Sequence, residues 1–299
     1  MWKELLFRLI TVLLLVGLVG SMLYVGFYFY TVRQSDTLSA RLSQQRSIAI
    51  NGLSSENTST PSHMPTYDAS AAPTASLKPM TTEAPTVSPD PTASSEAPDE
   101  SVDDPLLSYY NTLAKENPDM IGWISIADTP VDYPVMYTPQ DPQYYLNRDF
   151  DRKYTVEGMP FLDERCDADA PSDNLIIYGH NMRSGQMFGS LSSYREEEYR
   201  QTHSLVSFDT LKERRTYRIY AGFVVRLAES LDDTDMLCYR VDLTSNEERL
   251  QALLDYASLH ALFADPEIEP KIHDQLLTLS TCTSVRKSER FVLMAVRIE

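Results

Sequence analysis

The chain has 299 residues, 42% of them hydrophobic, which is enough for one or two domains with a buried core. Its formal net charge is −17, from 43 acidic and 26 basic residues, so it lacks the basic surface that nucleic-acid binding requires. The three cysteines, Cys166, Cys238 and Cys282, are an odd and widely spaced set, which excludes a disulfide framework.

Residues 1–33 predict an N-terminal membrane anchor. No charged residue occurs between Leu9 and Val32, a stretch of 24 positions. A helix of about 20 apolar residues crosses the hydrocarbon layer of a membrane. A cleavable signal peptide would have a shorter apolar core of about 7–15 residues followed by an A-x-A-like site, and neither is present. We therefore expect an uncleaved single-pass helix.

Residues 34–103 predict an acidic spacer that is rich in Ser, Thr and Pro. Nine of the eighteen prolines fall between Pro61 and Pro105, and residues 51–104 carry nine acids and one lysine, a net charge of −8. Such a composition cannot bury enough apolar surface to offset the entropy of ordering. We expect a disordered linker with a reach of roughly 40 Å.

Residues 104–299 predict a mostly β domain. Asp104 and Pro105 are typical of the start of a helix, so one short helix is expected first. Seven runs rich in β-branched and aromatic residues follow, separated by turn residues at spacings typical of sandwiches and barrels. These runs are "IGWISI", "TPVDYPVMY", "NLIIYGH", "SLVSFDT", "RTYRIYAGFVVRL", "DQLLTLSTC" and "RFVLMAVRI".

Two helical insertions are expected within this domain. The first lies around residues 187–199. The second runs from Thr244 to about Phe263, with Thr244 and Ser245 as candidate N-caps of capping boxes and with leucines on one face.

Cys282 is the candidate nucleophile. Strand alternation in "QLLTLSTC" places Thr278, Ser280 and Cys282 on one face, which is more polar than a buried structural cysteine would favour. An inert buried thiol is the alternative, and Cys166 and Cys238 are taken as structural. The chain has no C-x-x-C and no H-x-x-x-H spacing, so no metal site is expected.

A cysteine nucleophile needs a partner that transfers protons and a cation for the oxyanion. His180 is the histidine best placed for the first task, because it follows Gly179 at the end of the apparent strand "NLIIY". Arg290 begins the strand expected to pair with the cysteine strand, whereas Arg286 falls in a charged turn where solvation is its expected role.

These motifs resemble those of the sortases, the cysteine transpeptidases of the Gram-positive cell surface, and of class B among them. The T-L-x-T-C motif matches Thr278 to Cys282, the strand-opening arginine matches Arg290, and the Y-G-H strand end matches Tyr178 to His180. "NPDMIGWISI", "YYLNRDF" and "GMPFLD" are also similar to class B segments. The resemblance implies the eight-stranded sortase β-barrel with an N-terminal helix and inserted helices.

The resemblance also implies a reaction. Cys282, His180 and Arg290 would be catalytic: the thiolate attacks a threonine carbonyl in a C-terminal sorting motif of the N-P-x-T-x type on a secreted protein, and a cell-wall or lipid-linked amine resolves the thioacyl-enzyme. No cofactor is implied. The catalytic domain would lie outside the cell, attached to the cell membrane by the single span.

Residues that would line the substrate groove follow from the same resemblance. They are Leu146, Tyr239 and Ser280, and Pro142 stands where the family often has an asparagine. Three alternatives remain open at this point: a pilin-polymerising sortase that uses a lysine amine, a surface cysteine protease, and a non-enzymatic surface binding domain. The order of His180, Cys282 and Arg290 along the chain argues against a papain-like protease.

Overall fold

A computed structural model describes residues 2–56, 104–167, 172–226, 237–282 and 288–299, with residues 52–56 and 282 described by their backbone alone. The helices are α1 (Trp2–Glu56), α2 (Pro105–Glu116), α3 (Glu197–Thr202) and α4 (Glu247–His260), with 3₁₀ helices at Tyr144–Asn147, Gly189–Arg195 and Leu237–Tyr239. The strands are β1 (Met120–Ser125), β2 (Asp132–Met136), β3 (Phe161–Leu162), β4 (Asn174–Tyr178), β5 (Leu205–Thr210), β6 (Thr216–Arg226), β7 (Phe263–Ala264), β8 (Leu276–Cys282) and β9 (Glu289–Arg297).

Eight of these strands close into a barrel. Their order is β5-β1-β2-β3-β4-β8-β9-β6, and pairing of β5 with β6 closes the ring, while the short β7 adds to β6 outside it. The pairs β2–β3 and β4–β8 are parallel and the other pairs are antiparallel. The expected eight-stranded barrel is confirmed.

Large side chains from the strands are buried in the core, where Trp123 stacks on Tyr110 of α2 and Phe223 packs against Tyr256 of α4. Trp123, Phe208, Tyr217, Phe223 and Phe291 are among the largest that are fully buried. Both faces of β8 are buried from Leu276 to Thr281, and the hydroxyls of Thr278 and Ser280 are hydrogen-bonded to Asn174 Oδ1 and to the Tyr239 hydroxyl. Burial on both faces is typical of a strand inside a sheet when other parts of the protein cover both sides of that sheet.

The helix expected at the start of the third segment is α2. The side chain of Asp104 accepts a hydrogen bond from the Leu106 backbone N–H, and Pro105 occupies the first turn, as expected. Leu106, Tyr110 and Leu113 then face the core. The expected caps of α4, Thr244 and Ser245, are wrong by two residues and one: Asn246 is the N-cap, and the hydroxyl of Thr244 donates to the Asp274 carbonyl instead.

The first expected insertion divides into the 3₁₀ helix Gly189–Arg195 and the single α-helical segment α3, and the second becomes α4. The strand runs did not include β3 or β7, because each has two residues and carries too little alternation to be recognised.

Helix α1 continues from the apolar segment to Glu56, 23 residues beyond the expected end of the anchor at Arg33. Its second half packs on α2 and β2: Leu42 is buried, and the hydroxyl of Tyr109 donates to the Leu42 carbonyl. Part of the segment assigned to the spacer is therefore helical and in contact with the barrel. Residues 57–103 of the expected spacer lie outside the described residues.

Arg46 is the polar centre of this contact. Its guanidinium donates to the Tyr110 hydroxyl (2.8 Å), to Asp132 Oδ1 (3.1 Å) and to Ser125 Oγ (3.0 Å), and lies 5.7 Å from the centre of the Trp123 ring. A charge this deeply enclosed is stable only when its hydrogen bonds are satisfied, so the fit between α1 and the barrel is specific.

Candidate active site

One groove of about 390 Å³ lies at the end of the barrel where β4 and β8 finish. It is lined by all five predicted site residues whose side chains are described, namely Leu146, His180, Tyr239, Ser280 and Arg290. Other residues complete the lining, among them Gln143, Phe161, Leu162, Asp163, Glu164, Tyr178 and Thr281. The groove is therefore built from six separate parts of the chain: residues 142–146, 161–164, 178–180, 239, 280–281 and 290.

Strand register brings these parts together. Parallel pairing aligns Tyr178 of β4 with Ser280 of β8, so His180 follows in line with Cys282. Antiparallel pairing places Cys282 opposite Arg290 of β9. The side chain of Cys282 lies outside the described residues, as does Arg286. The backbone alone thus places the thiol-bearing residue between the histidine and arginine segments.

The His180 ring is held by the main chain. Its Nε2 lies 2.7 Å from the carbonyl oxygen of Leu146, in the 3₁₀ helix Tyr144–Asn147. A carbonyl oxygen can only accept, so Nε2 carries a proton and donates it. The other ring nitrogen, Nδ1, is then the one that can exchange a proton in the neutral ring.

Two stacked tyrosines, each with a hydrogen-bonded hydroxyl, form one wall of the groove. The hydroxyl of Tyr178 donates to Asp163 Oδ2 (2.7 Å), and its ring stacks on that of Tyr239 at 6.3 Å between centroids. The hydroxyls of Tyr239 and Ser280 share a hydrogen bond of 2.8 Å. These buried hydroxyls are fixed in direction and present ordered polar groups to the groove.

Asp163 is a buried carboxylate. Burial acts to raise its pKa, but hydrogen bonds from Arg165 and from Tyr178 overcome that effect and the pKa is lowered. Two bonds come from the Arg165 guanidinium, from Nε and Nη2, each at 2.8 Å. Asp163 is therefore negatively charged in the folded protein at neutral pH, beside Tyr178.

Arg290 is half-buried at the start of β9, and its Nη1 donates to the Glu289 carbonyl at 3.2 Å. A guanidinium keeps its charge at any working pH, so it presents a permanent positive charge to the groove.

The two other cysteines are buried away from the groove. Burial raises the pKa of the Cys166 thiol to about 11, and its sulfur lies 3.4 Å from the Ile176 backbone nitrogen that donates to it. Cys238 is fully buried. Within the described ranges, no cluster of three or more His, Cys, Asp or Glu residues could hold a metal ion. His203, His260 and His273 do not line the groove, and His63 lies outside the described residues.

Sequence reasoning did not select several residues that line the groove. Tyr178 belonged to a recognised motif but received no role, and Asp163 stood in "GMPFLD" without a visible signal. Thr281 lines the groove with its hydroxyl buried and without a hydrogen-bond partner among the described residues. Alternation had placed Thr281 on the opposite face from Cys282. The signal available in the sequence was the polar character of Thr281, which directly precedes Cys282.

Comparisons with known proteins agree with this geometry. A family model described as a sortase domain matches residues 124–298, which is more than half of the chain. Sortase B of Staphylococcus aureus is 26% identical over 188 residues, 62% of this chain and 73% of the relative. Sortase B of Listeria monocytogenes is 29% identical over 178 residues, 60% of this chain and 68% of the relative.

A solved structure supports the same comparison. A Staphylococcus aureus sortase B-substrate complex is 26% identical in sequence and superposes with a TM-score of 0.57. The match covers 64% of this chain and 85% of that one.

Proposed function

Because the chain belongs to the sortase family of cysteine transpeptidases, and to its class B, we propose that Cys282, His180 and Arg290 are its catalytic residues. The observation that carries the proposal is the strand register, which aligns Cys282 with Arg290 and places His180 in the same groove. These are a nucleophile, a proton-transferring group and a fixed cation, the three elements that acyl transfer through a thioester needs.

In the first half of the reaction, the Cys282 thiolate attacks the carbonyl carbon of a threonine in the sorting motif. The carbonyl π electrons move to oxygen, and Arg290 stabilises the resulting oxyanion. As the tetrahedral intermediate collapses, the C–N bond breaks, and His180, which enters the cycle as the imidazolium partner of the Cys282 thiolate, gives its Nδ1 proton to the departing amine and becomes the neutral ring protonated on Nε2. The products are a thioacyl-enzyme and the released C-terminal peptide.

In the second half, an amine attacks the thioester carbonyl and His180 accepts its proton. Collapse expels the Cys282 thiolate and leaves a new amide bond, so protons and charge balance over the cycle. The hydrogen bond from His180 Nε2 to the Leu146 carbonyl supports the use of Nδ1, because it keeps the ring in one orientation throughout.

We propose that Leu146, Tyr239 and Ser280 contact the sorting motif, which is expected to be of the N-P-x-T-x type. All three line the groove, and the substrate complex of the Staphylococcus aureus relative supports a peptide as the ligand. The paired hydroxyls of Tyr239 and Ser280 could each direct one hydrogen bond to a peptide amide or carbonyl. Pro142 at the groove edge offers no amide side chain for this task.

We further propose that α1 anchors the chain in the cell membrane and that the barrel faces the extracellular side. Within the described part of the chain, one helix is long and apolar enough to cross a membrane, with a mean hydropathy of 2.3 in a window of which nothing is buried. An extracellular barrel would meet secreted proteins and a cell-wall or lipid-linked amine.

The test uses the full chain in detergent micelles with fluorescence-quenched peptides of the N-P-x-T-x and L-P-x-T-x types. Each peptide is supplied with oligoglycine, a diaminopimelate-type amine, a lysine-bearing peptide, or no amine. Mass spectrometry identifies cleaved and amine-linked products. We expect N-P-x-T-x cleavage after threonine and linkage to a wall-type amine.

Variants assign the roles. Cys282→Ala should abolish both cleavage and acyl adduct, and Arg290→Ala should lower kcat by about 100-fold or more, the loss expected for an oxyanion donor. Arg286→Ala is the matched control and should retain activity. Linkage to lysine alone would indicate a pilin-type enzyme, and cleavage without linkage a protease. A folded wild-type chain that cleaves none of the peptides and forms no acyl adduct would favour the binding-domain alternative.

A further inference from the structure

The extracellular end of the proposed span is marked by aromatic residues. Between Tyr24 and Tyr30, five of seven residues are aromatic. Tyrosine and other amphipathic aromatic rings concentrate where the hydrocarbon layer meets the headgroups. Arg33, exposed and about 9 Å further along the helix axis than Phe27, begins the charged part of α1. The membrane boundary is therefore expected near Phe27 to Arg33.

The barrel domain touches α1 at this same level. The ring of Tyr154, which is 57% exposed, stacks on that of Phe27 with 6.3 Å between centroids and an interplanar angle of 18°. Tyr154 is held in place by a backbone bridge to Arg148 and by the buried Thr155 that follows it. An exposed aromatic ring beside an apolar helix is thus fixed by the domain's own backbone.

A second contact, at Glu157, sets the direction in which residues 154–157 run along α1. Glu157 is buried close to Ser35 and Asp36, and burial first, then the charge of Asp36, raises its pKa. Tyr154 lies at Phe27 and Glu157 near Ser35, so the segment follows α1 away from the expected membrane boundary. These two contacts lie about two helical turns apart on α1, and together they fix the position of Tyr154 along the helix axis.

The exposed turn that precedes Tyr154 carries two cations, and a third lies nearby at the end of the span. Asp151, Arg152 and Lys153 are exposed and, with Asp119 beside Arg152, sum to zero, while Arg33 adds an exposed cation at the end of the span. Arg152 is held by Asp119 and Lys153 by Asp151. Cations next to an interfacial aromatic ring are the composition that associates with an anionic lipid surface.

We propose that residues 151–154 form a membrane-contacting surface of the catalytic domain, with Tyr154 inserted at the boundary between headgroups and acyl chains. The proposal rests on the proposed membrane anchor. The segment 142–158 would then join the membrane to the active site, since Pro142, Gln143 and Leu146 line the groove and Tyr154 meets the lipid. The groove would open close to the bilayer surface, where lipid-linked amines are found.

The experiment places a tryptophan at position 154 in the full chain. Trp2→Phe removes the native tryptophan of α1, and the fully buried Trp123 remains as a constant signal. Tyr154→Trp is compared with Leu259→Trp, at a position on α4 that is even more exposed (78%). Each chain is reconstituted into vesicles of phosphatidylcholine and phosphatidylglycerol, either unlabelled or brominated at shallow or deep positions of the acyl chains. Flotation measures membrane attachment, and peptide cleavage shows that each variant is folded.

We expect the emission of the Tyr154→Trp chain to fall in brominated vesicles, more with shallow than with deep bromines, while the emission of the Leu259→Trp chain is unchanged. Equal emission of the Tyr154→Trp chain in brominated and plain vesicles, with flotation retained, would overturn the contact and leave the anchor intact. Equal quenching of both variants would show general adsorption and overturn a defined surface. Chains that do not float would overturn the anchor and, with it, this proposal.

Discussion

His180 and Leu146 are joined by a hydrogen bond of 2.7 Å from the imidazole Nε2 to a main-chain carbonyl. The two residues lie 34 positions apart, and the carbonyl belongs to a 3₁₀ helix that is itself held by its neighbours. The backbone nitrogen of Met159 donates to the Tyr145 carbonyl, and Asn117 donates to the Tyr145 hydroxyl. The orientation of the proposed catalytic ring therefore depends on the packing of a turn.

Gly158 tests this dependence. It has φ +59°, and a Cβ there would press on the Leu146 carbonyl and lie 2.6 Å from that of Tyr145. We expect Gly158→Ala to displace the carbonyl and lower kcat by about 10-fold or more, because sub-ångström misplacement of a catalytic group is costly. Steady-state kinetics measure kcat and KM, and ¹⁵N shifts of the His180 ring report which nitrogen is protonated.

Gly185→Ala is the matched control. Gly185 also has positive φ (+84°), but a Cβ there meets nothing within 4 Å. The Gly185→Ala substitution therefore imposes backbone strain without contact between its Cβ and a carbonyl. If both variants changed kcat and the His180 signals equally, the Leu146 carbonyl would have no special part in orienting the ring.

Arg46 should be required for the stability of the barrel. Arg46→Met leaves Asp132, Asp209 and Tyr110 without their shared cation, and removal of one partner from a buried network costs about 3–5 kcal/mol. Guanidinium unfolding, followed by Trp123 fluorescence in the Trp2→Phe chain, measures the free energy of unfolding. Arg41→Met, at an exposed position of the same helix, should change it by less than about 0.5 kcal/mol.

Truncation provides an independent measurement of the same contact. A chain that begins at Asp104 loses Leu42 and Arg46 together, so we expect it to unfold at a lower denaturant concentration than one that begins at Thr31. Equal midpoints would mean that α1 contributes nothing to the fold of the barrel.

Thiol reactivity should separate the three cysteines. With a pKa of about 11, Cys166 has a thiolate fraction of about 10⁻³ at pH 8, and Cys238 is inaccessible. Iodoacetamide should therefore add once to the folded wild-type chain and not at all to Cys282→Ala. In denaturant, iodoacetamide should add three times to the wild-type chain and twice to Cys282→Ala. Intact-mass spectrometry counts the adducts, and any adduct in folded Cys282→Ala would contradict the assignment.

Asp163 should stabilise the fold in a pH-dependent way. Its pKa is lowered in the folded protein, so its contribution is present above the unfolded value of about 3.9 and is lost as the pH falls below it. Asp163→Asn should cost about 1–3 kcal/mol at pH 7, and the difference from wild type should shrink towards pH 3. Urea unfolding at both pH values measures it.

Glu164→Gln is the control for that measurement, since Glu164 is exposed and adjacent to Asp163. It should leave the unfolding free energy nearly unchanged at both pH values. A constant difference between wild type and Asp163→Asn from pH 7 to pH 3 would rule out a charged Asp163 as the source of the stability.

Much of the fold could be predicted because it depends on local patterns. Uncharged length predicts α1 as a candidate span, alternating β-branched residues predict seven strands, and Asp104 with Pro105 predicts α2. The motifs ending in His180 and Cys282 each lie in one continuous stretch, so they could be recognised without knowledge of what surrounds them. The family, and with it the chemistry, follows from these stretches.

The tertiary structure decided what depends on distant partners. In the sequence, Arg46 cannot be distinguished from the other charged residues of its helix, because its partners Asp132 and Asp209 lie 86 and 163 residues away from it. The hydrogen bond acceptor of His180 is a backbone carbonyl, which every residue possesses and no sequence pattern marks. Residue type determines what a group can do, and the long-range closure of the barrel determines which groups it meets.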